Sequence, residues 1–196
     1  AITLGMIACK NNSQPEENSV PTGPQRFELL SPEKTGVTFS NHLKEDYEYN
    51  ILNYEYLYNG GGVTVGDINN DGLPDIYFTA TFGTNKLYLN KGNMKFEDIT
   101  DRAGVAANAG FKTGVTMADV NNDGYLDIYV CRTSREDDGK KDNYLYINNR
   151  DLTFTNQAQE YNLAGNANTN HAVFFDYDLD GDLDMFMMNH RVGFDQ

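Results

Sequence analysis

The amino-acid sequence predicts an all-β fold, a partial β-propeller built from four-stranded blades. Three observations predict it. An acidic motif, D-x-[DN]-x-D-G-x-x-D, occurs three times, over residues 67–75, 119–127 and 176–184. Its first Asp recurs after 52 and then 57 residues, about the span of one propeller blade. Short apolar runs bracket each motif, in a chain with 13 Tyr, 11 Phe and 18 Gly, which is a strand-and-turn composition.

At the amino terminus, residues 1–8 read AITLGMIA, followed by Cys9 and a polar run from Lys10. An apolar segment, a small residue before a Cys and a polar tether resemble the end of a bacterial lipoprotein signal peptide. Met6-Ile7-Ala8-Cys9 stands as the lipobox, with Met where Leu is usual, and Cys9 as the lipidated residue. No initiating Met or basic segment precedes it, so the chain is expected to start inside that signal. Eight apolar residues fall short of the about 20 that a membrane-spanning helix needs, so a lipid on Cys9 is the expected membrane attachment. Residues 9–25 hold three of the five prolines and read as a flexible linker.

Residues 26–196 divide into repeats: a partial blade at 26–58, blades at about 59–110 and about 111–168, and an incomplete blade at 169–196. In the partial blade, Phe27, Gly36 and Val37 parallel Phe96, Gly104 and Val105. Five tyrosines follow, Tyr47, Tyr49, Tyr54, Tyr56 and Tyr58, and are expected in the core or at a blade edge. Gly60-Gly61-Gly62 then lets the backbone turn into the first acidic hairpin. Ahead of the motifs run GVTVG (62–66), GVTMA (114–118) and AVFF (172–175); behind them run IYFTA (76–80), IYVCR (128–132) and MFMM (185–188). These runs are β-branched or aromatic and bounded by turn residues, so they read as strands and each acidic loop closes a β-hairpin. A second hairpin follows in two repeats: NKLYLN (85–90) and NYLYIN (143–148) share N-x-L-Y-x-N, and strands are expected after the turns, at 95–100 and 152–156.

The loop chemistry points to Ca²⁺, one ion per loop and three in the chain. Side chains at positions 1, 3, 5 and 9 and the carbonyl at 7 offer at least five oxygens, a hard-cation donor set. The expected ligands are Asp67, Asn69, Asp71, Leu73 and Asp75; Asp119, Asn121, Asp123, Tyr125 and Asp127; and Asp176, Asp178, Asp180, Asp182 and Asp184. Gly at position 6 permits the positive φ that turns the chain around an ion. An EF-hand is excluded, because its bidentate Glu at position 12 is replaced by Phe78, Val130 and Met187. The third loop, with Asp178 where the others have Asn, is expected to bind most tightly.

Charge narrows the function classes. The net charge is -14, and eleven of the 29 acidic residues lie in the three loops. No basic stripe is present to neutralise phosphates, so nucleic acid is not an expected partner. Two cysteines, Cys9 and Cys131, cannot staple a small disulfide fold. The three histidines, His42, His171 and His190, are scattered, although His171 and His190 flank the third hairpin and could approach across it. No nucleophile motif, zinc-type His cluster or phosphate loop appears.

With the loops, the stretch Tyr58-Asn59-Gly60-Gly61-Gly62, the N-x-L-Y-x-N strands and FEDIT (96–100) in view, the chain from about Phe27 to Gln196 resembles the FG-GAP/VCBS repeat family. It is most similar to the bacterial members related to cartilage acidic protein, which often carry an ASPIC/UnbV domain. The resemblance implies a piece of a larger calcium-braced propeller, with the rest of the propeller as its structural partner. It implies a non-enzymatic cell-surface or outer-membrane role and an extracellular glycan or protein ligand. Alternatives are a polysaccharide-active propeller enzyme and a purely structural spacer. No ASPIC/UnbV segment and no Gly-Ala-Pro tripeptide appears in these residues.

Overall fold

Alternate residues of a strand face opposite sides of its sheet, and a strand apolar on both sides must be covered on both. That condition organises this protein. The computed structural model describes residues 27–53, 55–133, 142–165 and 167–190, without the side chain of Glu55. The signal-peptide end, Cys9 and the linker at 9–25 lie outside the described residues. Residues 1–30 form one unit and residues 31–196 another.

In the larger unit, β1 (Val63–Gly66), β2 (Asp75–Phe78), β3 (Lys86–Asn90) and β4 (Phe96–Asp98) pair antiparallel in sequence order. The second sheet repeats the order with β5 (Phe111–Ala118), β6 (Asp127–Thr133), β7 (Tyr144–Asn148) and β8 (Phe154–Asn156). A third hairpin pairs β9 (Thr169–Phe175) with β10 (Asp184–Asn189). The fold is therefore all-β with propeller-like blades. The three acidic hairpins close alike: Gly66 pairs with Asp75, Ala118 with Asp127 and Phe175 with Asp184.

Every residue of β6 is buried. Ile128 and Val130 join Tyr77, Leu87 and Leu89 of the first sheet in one core. The residues between them, Tyr129 and Cys131, join Leu145 and Ala172 in a second core, with Phe174, Met185 and Met187 of the third hairpin packed against it. Period-2 alternation thus sends one side of the second sheet to each neighbour, which is how blades stack.

Each complete blade also carries the same buried polar joint. Tyr77 Oη donates to the Val105 carbonyl at 2.6 Å, and Asn85 Nδ2 donates to Tyr77 Oη at 2.8 Å. In the next blade Tyr129 Oη donates to the Leu163 carbonyl at 2.7 Å, and Asn143 Nδ2 to Tyr129 Oη at 2.9 Å. These Asn residues begin the two N-x-L-Y-x-N strands. Each also accepts the backbone N–H of Ala80 or Arg132 through Oδ1, so it closes the turn between the middle strands of its blade.

Several elements differ from the sequence expectation. β4 and β8 each span three residues: Thr100 turns into a short helix instead of continuing β4, and Leu152, at φ 67°, precedes β8 outside the strand. Residues 27–30 carry no strand. The parallel between Gly36 and Gly104 is real but marks a helix end. Helix α1 (Pro32–Thr35) ends at Gly36, φ 81°, and α2 (Thr100–Ala103) ends at Gly104, φ 74°. Gly36 lies so close to the Phe96 carbonyl that a Cβ would collide. The tyrosine stretch splits. Tyr49 packs edge-on against Phe82 and Phe111, and Tyr56 lies against His190 with ring centres 4.0 Å apart and planes tilted by 40°, whereas Tyr47 is 97% exposed. Tyr58 is also exposed, and Tyr54 lies outside the described residues.

Candidate metal centres

The acidic loops all lie at one end of the blades, because each connects the first two strands of its sheet. The turns 79–85 and 99–110 lie at the other end. Gly72, Gly124 and Gly181 take φ values of 85°, 87° and 97°, as position 6 requires. Position 4 also needs a positive φ, which the motif did not reveal: Asn70 is at 58°, Asn122 at 55° and Leu179 at 64°. Asn tolerates this region, while Leu there is strained.

In the first loop, Asp67 gathers backbone N–H groups. Its Oδ1 accepts from Asn69 at 3.3 Å and Asp71 at 3.2 Å, and its Oδ2 accepts from Gly72 at 2.7 Å. Asp71 accepts from the Leu73 N–H at 2.8 Å. Asp75, buried at the base, accepts from Ile68 N–H at 3.0 Å and Asn90 N–H at 2.7 Å. The second loop repeats this. Asp119 accepts from Asp123 and Gly124, Asp123 from Tyr125, and buried Asp127 from Val120 and Asn148.

Two residues that end the N-x-L-Y-x-N strands complete the base. Asn90 and Asn148 donate through Nδ2 to the carbonyls of Pro74 and Leu126, just ahead of the position-9 Asp. Asn148 also reaches the Ile68 carbonyl of the first loop at 2.8 Å, and Asn70 of that loop donates to the Gly124 carbonyl of the second at 2.8 Å. Adjacent loops are therefore hydrogen-bonded to each other.

The third loop brings carboxylates closest. Oxygens of Asp176, Asp178 and Asp184 lie within 4.8 Å of one another. Asp176 Oδ2 accepts from Gly181 N–H at 3.1 Å, but its Oδ1 is buried without a hydrogen-bond partner. A buried carboxylate oxygen with no donor is costly to leave unpaired, and a cation could satisfy it. Asp180 accepts from the Asp182 N–H at 3.1 Å, so these two carboxylates crowd each other.

Electrostatics tell the same story. Burial pushes the Asp127 carboxyl up to about 6, against the N–H bonds from Asn148 and Val120, and the charges of Asp123 and Asp119 add to the rise. Burial raises Asp75 in the same way. The negative charge of Asp180 raises Asp182. Asp123 is the exception. Burial would raise it, but hydrogen bonds from Arg150, Tyr125 and Asn121 outweigh that and hold it below the ordinary range. Sequence reasoning missed the role of Arg150, because the equivalent residue of the first blade is Gly92 and no motif flags the position.

The residues outside the loops sort differently. His190 packs tilted against Tyr56 and its ring lies 3.4 Å from Thr133 Oγ1, while His171 fits against Gly114 of β5. Cys131 is buried with its thiol pushed up to about 12, unsuited to nucleophilic chemistry.

Comparison with known proteins returns to the loops. Residues 67–130 and 133–187 match the FG-GAP-like repeat. The chain is 33% identical over 135 residues to cartilage acidic protein 1 of Xenopus tropicalis, covering 67% of this chain and 20% of that protein. It is 41% identical over 69 residues to the mouse protein of the same name and 40% identical over 72 residues to the human one. Those matches cover 35% and 36% of this chain, and 11% of each relative. The chain thus spans a fifth or less of the length of these curated relatives.

Proposed function

The chain belongs to the FG-GAP-like repeat family, and from that premise we propose that it is a calcium-braced propeller module that binds a glycan or protein at a bacterial cell envelope. The observation that carries the calcium reading is the third loop, where three carboxylates converge around a buried Asp176 oxygen with no donor. Oxygen-only donors of this number suit Ca²⁺. When bound, the ion supplies positive charge that neutralises the crowded carboxylates and ties the two ends of each loop together. The chain does the rest: backbone N–H groups hold the first Asp of each loop, Asn90 and Asn148 fix the last Asp of the first two, and the Tyr177 N–H holds Asp184 in the third.

The role of the ions is then structural, and the ligand surface belongs to the other end of the blades. That end carries a cleft of about 400 Å³ lined by Phe39, His42, Phe82, Thr84, Lys86 and Tyr88. Aromatic faces beside hydroxyl and cationic groups suit a sugar ring. The module is read as non-enzymatic, because the histidines a catalytic alternative would use are packed against different neighbours. Attachment through a lipid on Cys9 and completion of the propeller by further blades belong to the same proposal.

The test is calcium titration calorimetry together with glycan-array binding in calcium and in EDTA, and turnover assays on the bound polysaccharides. Saturable calcium uptake, and glycan binding that Phe82→Ala weakens, are expected. Absence of calcium uptake sinks the metal reading. Turnover lost on His190→Ala favours an enzyme instead.

A further inference from the structure

The first two loops have identical ligand types, Asp, Asn, Asp and Asp at positions 1, 3, 5 and 9, so ligand charge does not distinguish them. The turn beneath them does. In the first blade the turn after the N-x-L-Y-x-N strand places Gly92 at φ 79°, with its N–H on Asn90 Oδ1 at 2.9 Å. In the second blade the equivalent residue is Arg150, at φ 66°, with its N–H on Asn148 Oδ1 at 2.8 Å. A non-glycine residue in this region is strained. Its side chain does something Gly92 cannot. Nη2 of Arg150 lies 3.0 Å and Nε 3.3 Å from Asp123 Oδ2, the position-5 carboxylate, and the guanidinium sits 5.6 Å from the centre of the Tyr125 ring.

We propose that Arg150 is a built-in cation for the second loop, competing with calcium at Asp123 and holding the loop in shape when the ion is absent. The inference rests on the calcium reading above. Calcium must share Asp123 with a guanidinium or displace it, and either lowers affinity. The ion pair is largely exposed on the Arg side, so the effect is modest, about two- to five-fold. The first loop, with Gly92 in this place, has no such competitor from its turn. The two loops would then serve different ranges of calcium concentration, with the second the less dependent on the ion for its structure.

Site-resolved NMR titration of the 196-residue chain tests this, because Gly72, Gly124 and Gly181 each donate an amide to the first Asp of their own loop. In the wild-type chain the Gly124 amide should respond at about two- to five-fold higher calcium than Gly72. Arg150→Gly should bring the Gly124 midpoint down toward that of Gly72 and leave Gly181 in place. Arg150→Gln keeps side-chain bulk and removes the charge, and should act in the same direction, which covers any folding effect of the glycine. In EDTA both variants should speed amide hydrogen exchange at Gly124 and Tyr125 relative to Gly72. A Gly124 midpoint unchanged or raised in both variants overturns the proposal. No calcium response at Gly72 and Gly181 overturns the calcium reading itself, and this inference with it.

Discussion

Asn143 shows how much one residue carries here. Its amide donates to Tyr129 Oη at 2.9 Å and to Thr169 Oγ1 at 3.1 Å, and its Oδ1 accepts the Arg132 N–H at 2.8 Å. All three partners are buried. Asn143→Ala removes all three bonds from the interior, although Tyr129 Oη keeps the Leu163 carbonyl, and should lower unfolding stability by about 2–4 kcal/mol, with Asn85→Ala close behind; Tyr77→Phe, which removes the donor to Val105 and the acceptor for Asn85, should lower it by about 1–2 kcal/mol. Urea denaturation at fixed calcium measures all three, and a loss under 1 kcal/mol for Asn143→Ala would show the joint to be dispensable. Asp127 gives a pH effect. Its folded carboxyl is raised to about 6, above its ordinary value of 3.8, so the folded chain holds this proton when the unfolded chain has lost it. Its contribution is therefore fully present below the ordinary value and lost as pH rises through about 6. In EDTA, the wild-type chain should lose more stability than Asp127→Asn between pH 4 and pH 7. With calcium the trend opposes this, since an ion needs the carboxylate, and calcium protection should weaken as pH falls through this window.

At the scale of elements, the three hairpins are one device with different settings. Each places an acidic loop between paired strands, and each fixes its last Asp at the strand end. The third loop concentrates carboxylates most and has the unpartnered oxygen of Asp176, while Leu179 adds strain. Ions that bind only the folded state stabilise it by mass action. EDTA should thus lower the melting temperature, and Asp71→Ala and Asp123→Ala should each shrink that difference. Asp178→Asn should weaken calcium at the third loop, whose added carboxylate is expected to make it the tightest of the three. Melting curves with and without chelator, one loop disabled at a time, decide the order. Melting that ignores EDTA in the wild-type chain would remove calcium from the loops. The hairpins themselves were legible in the sequence, because alternation and turn residues are local signals. The short helices α1 and α2 were not, since four residues carry no periodicity and their ends are set by Gly36 and Gly104 against neighbouring strands.

Across the whole molecule, the blades stack because β6 and its neighbours are apolar on both faces. One face meets the first sheet and the other meets the third hairpin. The outer side of that hairpin remains open, with Val173, Phe175, Phe186 and Met188 exposed. Exposed apolar residues in this number on one hairpin suit a further blade packed against it. What the sequence determined by itself was the repeat: its period, its all-β character, the position of each acidic loop within a hairpin and the oxygen-rich side chains each loop presents. All of these depend on spacing along the chain, which the sequence displays directly. What only the tertiary structure decided was which groups meet across blades and turns. Asn70 bonds the next loop, Asn143 ties β6 to β9, and Arg150 reaches Asp123 over 27 residues of chain. Such contacts depend on how sheets stack and where side chains point once the backbone turns back, and no local pattern in the sequence encodes that.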